Sequence, residues 1–147
     1  MKSFAKPIAL FACLSILSCE KESHTIDKEQ EFNKPFKATL DEHVILKNNE
    51  SQVLFHIKNI SDNRCAMHIE CSDPGEATVR IEVSNNSNSK AETLLHLGLL
   101  NGEMKSSDSI RVQLDDRFYM ISLQGVNPHP IEGKDETQTA QMLIKPQ

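Results

Sequence analysis

Thr78-Val79-Arg80-Ile81-Glu82-Val83-Ser84 is the stretch on which the fold is decided. Val79, Ile81 and Val83 alternate strictly with Arg80, Glu82 and Ser84. A period of two puts the three branched apolar side chains on one face and the polar ones on the other. Such a segment is a strand with one face on a core and one in water, as antiparallel sheets provide.

The same alternation recurs on both sides. Upstream, Val53, Phe55 and Ile57 alternate with Leu54, His56 and Lys58, and Phe36 to Leu40 and His43 to Leu46 are shorter strands split by Asp41-Glu42. Asn48-Asn49-Glu50-Ser51 and Asn85 to Lys90 are polar turns. Leu94 to Leu100 is nearly all apolar, which fits a central strand buried on both faces or a short helix. Downstream, Ile110, Val112 and Leu114 precede an Asp115-Asp116 turn, and Phe118 to Val126 returns with Tyr119, Ile121 and Leu123 on one face, forming a hairpin. Pro128 and Pro130 end the pairing because proline lacks the ladder donor. Glu132 to Gln138 is an exposed connection, and Met142 to Ile144 returns as an edge strand. Phe55, Phe118 and Tyr119 are core residues or nearly so. About seven or eight short strands with no amphipathic helix predict an all-β fold, an antiparallel β-sandwich rather than a closed barrel. It forms a single domain over residues 36–147.

The N-terminus has a different grammar. Lys2 and Lys6, the apolar run Ile8 to Leu17 and the small Ser18 make the three parts of a cleaved signal peptide, residues 1–18. About ten apolar residues are too few to span a bilayer of about 30 Å. Ile16-Leu17-Ser18-Cys19 resembles the bacterial lipobox, in which cleavage precedes the cysteine and its thiol takes a diacylglycerol. Lipidation of Cys19 would anchor the mature protein, since two or more acyl chains hold far better than one. Residues 19–35, rich in Lys, Glu and Gln, are expected to form a flexible tether. Glu20-Lys21-Glu22 is similar to the acidic, lysine-containing export signals of Bacteroidota surface lipoproteins. That likeness implies the outer membrane, with surface display favoured over the periplasmic side.

Removing the signal leaves 14 basic against 21 acidic residues, a formal charge of −7. Nucleic acid is excluded as a partner and anionic lipid headgroups are disfavoured, because phosphate binding needs clustered Lys and Arg; a basic protein partner, or none, is favoured. Of the four cysteines, Cys13 leaves with the signal and Cys19 takes lipid. Cys65 and Cys71 remain as a pair in an oxidising compartment, and a disulfide between them would stiffen the loop from Ser61 to Gly75.

Around these cysteines, Asp62-Asn63-Arg64-Cys65, Cys71 and Gly75 resemble a group of small Bacteroidota lipoproteins. Their pattern is a strand ending in an Asp-x-Arg-Cys-Pro loop, a second cysteine, a glycine, another strand, and a late strand followed by Pro-x-Pro. Here the late match is Tyr119 to Leu123 with Pro128-His129-Pro130. Ala66 stands in place of the loop proline, and Ser72-Asp73-Pro74 in place of an aromatic segment. The resemblance implies the anchored location and carries over no activity. Arg64, Met67, His68 and Glu70 are the candidate binding residues of the loop.

Other chemistry is thinly supplied. Cys65, Met67, His68 and Cys71 are soft ligands suited to copper or zinc, so a soft-metal lipoprotein is the alternative reading. A disulfide removes both thiolates, however, and no paired metal-ligand spacing accompanies them. No metal or other cofactor is therefore assigned. His56 and His96 lie on strand faces that neighbouring strands could bring together. No nucleophile elbow, oxyanion turn or phosphate loop is present, and the acidic pairs Asp41-Glu42 and Asp115-Asp116 fall in turns. With no Trp, one Tyr and six Phe, a stacked carbohydrate platform is not expected. The expectation is a non-catalytic binding or protection module, of inhibitor or immunity type.

Overall fold

The alternating stretch around Ile81 lies within β5 (Glu76–Asn85), and its Val79, Ile81 and Val83 are all buried. The computed structural model describes residues 28–147; the signal segment, Cys13, Cys19 and the first part of the expected tether lie outside the described residues. β5 pairs antiparallel with β4 (Gln52–Asp62) and with β6 (Lys90–Leu100). β3 (His43–Lys47) extends the sheet beyond β4, and β1 (Lys28–Glu31) and β7 (Glu103–Lys105) form its edges. The second sheet contains β2 (Phe36–Thr39), β8 (Asp108–Leu114), β9 (Arg117–Asn127) and β10 (Thr139–Pro146), in the order β2-β10-β9-β8. β8 and β9 form the expected hairpin. The protein is an all-β sandwich, and no helix occurs among the described residues.

The core lies between the sheets. Val53, Phe55 and Ile57 of β4 join Ile81 of β5 and Leu95 of β6 on one side; Tyr119, Ile121 and Leu123 of β9 join Met142 and Ile144 of β10 on the other. Phe36 meets Phe55 edge-on across the gap, with ring centroids 5.3 Å apart. Burying each such side chain contributes roughly 1.5–3 kcal/mol, so inter-sheet packing dominates stability.

Four expectations are revised. The fold begins at Lys28 or earlier rather than at Phe36, because Lys28–Pro35 is not tether: β1 runs parallel to β3, and Phe32 is buried with its ring 5.9 Å from Tyr119. Charged residues suit β1 because it is an edge strand, where Glu29 pairs with Lys47. The Leu94–Leu100 segment is a strand but is not buried on both faces. Leu95 and Leu97 point inward while Leu94 is 37% exposed, since among the described residues no element covers the outer side of this sheet. Met142–Ile144 belongs to an interior strand, with β2 and β9 on either side of β10. Phe118 is only half-buried and lies on the outer face of its sheet, beneath the Arg111 guanidinium.

The register of β4 shifts between Ile57 and Asn59. Such a bulge reverses which residues face inward. Beyond it, Ile60 and Asp62 stand opposite the buried Val79 and Ala77. The bulge thus turns an aspartate toward the interior.

Phe32→Ala removes the ring that ties the first strand to the second sheet. It is expected to lower the unfolding free energy by about 3 kcal/mol, measured by chemical denaturation of the full chain. A change under about 0.5 kcal/mol, the scale of an ordinary surface substitution, would show that the segment before Phe36 is dispensable.

Candidate functional site

Asp62, carried inward by the bulge, has a fully buried side chain. Its Oδ1 accepts the backbone N–H of Arg64 (3.2 Å) and Arg64 Nε–H (2.8 Å), while Oδ2 accepts Arg64 Nη2 and Gln138 Nε2 (3.0 Å). Arg64 Nη2 also donates to the Val126 carbonyl at 2.8 Å. One carboxylate therefore joins the end of β4 to the end of β9 and to the segment entering β10. A carboxylate this deep is tolerated because its acceptor sites are filled and a guanidinium offsets its charge.

The loop of residues 63–75 and the loop of residues 128–138 are further laced together at this end. Met67 N–H donates to Pro130 O at 2.9 Å, and His129 Nε2 lies 2.8 Å from Cys65 O. A carbonyl only accepts, so Nε2 carries the proton. The cysteine loop closes on itself through Cys65 N–H to Pro74 O (2.8 Å) and Asn63 N–H to Glu76 O (2.8 Å). Gly75 adopts φ +67°, and a Cβ there would stand 2.0 Å from Asn63 O, so no side chain fits. The peptide bond between Asn127 and Pro128 is cis.

At the tip, Cys65 and Cys71 form a disulfide. Both sulfurs are thereby withdrawn from metal binding, and Met67 and His68 are left as exposed side chains. No group of three or more His, Cys, Asp or Glu able to hold a metal occurs among the described residues. Met67 is 45% and Ile69 42% exposed, and His68, at φ +71°, reverses the chain between them. Glu70 is exposed beside them. Of the four loop residues picked from sequence, Met67, His68 and Glu70 are on the surface. Arg64 is mostly buried, its guanidinium clasping Asp62.

Beside the clasp lies a cleft of about 460 Å³. Leu40, Ile60, Pro128, Pro130 and Ile131 give it apolar walls, and Lys134, Asp135 and Glu136 line it with charge. Leu40 is 49% exposed. Sequence reading missed this cleft because its walls come from three separated stretches, the end of one strand, the end of another and a late loop, that only the fold brings together. The signal that pointed toward it was the Pro128-His129-Pro130 segment.

His56 and His96 do not meet. His56 packs edge-on against His43, ring centroids 4.2 Å apart, while His96 Nδ1 lies 3.2 Å from Glu76. Burial, aided by His43 and Lys58, holds the His56 imidazole below its ordinary pKa despite the opposing pull of Asp41 and Glu82. Its Nε2 is buried without a hydrogen-bond partner, and Asp41 is 3.8 Å away.

Compared with known protein families, characterised proteins and solved structures, the chain matches none.

Arg64→Ala leaves the buried Asp62 charge without its cation and is expected to cost about 3 kcal/mol of stability; a denaturant midpoint equal to wild type would refute the clasp. For His56, the depressed folded pKa means that the unfolded chain binds the extra proton first as pH falls. Stability is then full above the unfolded value of about 6.5 and declines as pH drops toward the lower folded value. His56→Gln should flatten that slope in denaturation series between about pH 7 and pH 5; an unchanged slope would assign the pH dependence elsewhere.

Proposed function

We propose that this protein is a lipid-anchored lipoprotein of the bacterial envelope, held by acylated Cys19 at the outer membrane with surface display favoured, and that it acts as a non-catalytic binding or protection module. The partner is a basic protein that seats an apolar side chain at the loop end of the sandwich. The observation that carries this reading is the exposure of apolar groups at one end: Leu40, Met67 and Ile69 stand at 42–49% exposure. Apolar groups held out by two interlocked loops do nothing for the core, and exposed apolar clusters with a polar rim mark interaction sites. Around them, Glu70, Asp73, Glu132, Asp135 and Glu136 are exposed carboxylates, against Lys134 as the cation lining the cleft. Acidic rims steer basic partners and set association rate more than affinity.

The anchor is supported by the lipobox, the charged residues after Cys19 and the likeness of the Asp62 to Gly75 loop to that of small Bacteroidota lipoproteins; the binding role rests on the exposed apolar groups and their acidic surroundings. The soft-metal alternative loses its thiolates to the disulfide.

The test is crosslinking capture from intact cells with full-length wild type and with Leu40→Asp/Ile69→Asp. Wild type is expected to recover a basic protein, and the double variant to recover it at least about tenfold less, as loss of a hot-spot pair implies. Equal recovery by both would place the contact elsewhere; recovery of nothing would remove the binding reading. Membrane fractionation that shows no acyl chains on Cys19 would remove the anchor.

A further inference from the structure

The two outer faces of the sandwich carry charge in opposite ways. On the six-stranded sheet, Glu29 faces Lys47, Glu82 faces Lys58 and Lys90, Glu92 faces Arg80, and Glu76 faces His96. That face is neutralised in place. Among the described residues, the strand rows on the outer face of the four-stranded sheet hold no carboxylate, and Glu42 reaches only its edge, where it accepts from Thr39 and lies 3.9 Å from Lys28 Nζ. Arg111, Met120 and Lys145 stand side by side across β8, β9 and β10, followed by Ser109, Ser122 and Leu143; Lys37 and Gln141 stand opposite each other on β2 and β10. Lys37, Arg111 and Lys145 are exposed, and among the described residues none is paired with a carboxylate. Arg111 lies flat on Phe118, 3.9 Å from the ring centroid. Strand spacing puts Arg111 and Lys145 about 10 Å apart, and Lys37 about 13 Å along the strands from Lys145.

A chain with a formal charge of −5 thus gathers these cations on one flat side. On the opposite sheet the carboxylates are matched in place by Lys47, Lys58, Lys90 and Arg80, so that face adds little net field in front. The first described strand, β1, is the edge of the six-stranded sheet, and from there the Lys28 side chain reaches across to the neighbouring edge of this face, its Nζ donating to Lys37 O at 3.0 Å. Eight residues lie between Cys19 and Lys28, a reach of at most about 30 Å over nine Cα steps. An anchor on Cys19 would therefore keep this face within one domain's width of the bilayer.

We propose that the outer face of the β2-β10-β9-β8 sheet, through Lys37, Arg111 and Lys145 around Met120 and Leu143, docks on the anionic lipid surface to which the chain is tethered. The proposal rests on the Cys19 anchor for its occupant, and it orients the loop end and its cleft sideways or away from the membrane. Each basic residue near an anionic surface contributes about a fivefold preference, so the three together favour the docked orientation by about a hundredfold.

The test uses the full-length protein purified from membranes, reconstituted with vesicles of neutral phosphatidylcholine alone or with about 30% phosphatidylglycerol, a strongly anionic surface, and probed by amine labelling and mass spectrometry. Lys37 and Lys145 are expected to label at least about tenfold more slowly on anionic than on neutral vesicles. Lys58 and Lys90, on the opposite sheet, should label equally on both. Equal labelling of Lys37 and Lys145 on the two compositions, with the protein floating on both, overturns the docking face and leaves the anchor standing. Flotation only with anionic vesicles, abolished by K37E/R111E/K145E, upholds the face and removes the anchor; flotation with neither removes both.

Discussion

The buried carboxylate of Asp62 is the constraint on which the rest of this structure turns. An ionised group with no exposed surface costs several kcal/mol unless its acceptor sites are filled, and here four donor contacts fill them. The donors come from both sheets' ends, so satisfying one residue fixes the relative position of β4, β9 and β10 where the sandwich would otherwise fray. Arg64 is held with only 16% of its side chain exposed, which leaves its planar fork in the geometry that a carboxylate and a carbonyl both require.

That constraint explains why the loops beyond it are rigid without being buried. Below the clasp, Gly75 lets the returning strand pass against Asn63, and Leu99 N–H reaches Gly75 O at 3.1 Å. Above it, the disulfide closes the tip. The order is inverted relative to an ordinary loop, with polar and charged groups inside and apolar groups outside. Packing alone would place Met67 and Ile69 inward, so their exposure is a property of the scaffold that carries them.

Much of the fold was legible because both sheets obey a period of two. Val53, Phe55 and Ile57, then Val79, Ile81 and Val83, then Tyr119, Ile121 and Leu123 all point where alternation puts them. The failures have physical causes. β1 is hydrogen-bonded at an edge and needs no apolar alternation, so Lys28 to Glu31 looked like tether. The bulge after Ile57 reversed the phase of β4, hiding that Asp62 faces inward. Arg64 then looked like a contact residue because its acceptors, Val126 and the buried Asp62, lie across the sandwich or out of phase. Local pattern carries the strands; the site depends on long-range contacts that no window of sequence contains.

Charge is distributed over this scaffold as unevenly as apolar surface is. Paired charges on a strand face add little stability when exposed, so the ladder from Lys58 to Arg80 is better understood as a way of silencing that sheet electrostatically. Among the described residues, Lys37, Arg111 and Lys145 have no carboxylate partner, and five carboxylates stand around the loop end. A sandwich needs neither arrangement for folding, because its core lies between the sheets. The three surfaces therefore differ in character: one neutralised face, one basic face beside the point of chain entry, and one acidic end with apolar groups held out on a clasp. A tethered module with these three surfaces has a preferred side toward its support and a different one toward its partner, and the Asp62 clasp is what keeps the second of these in shape.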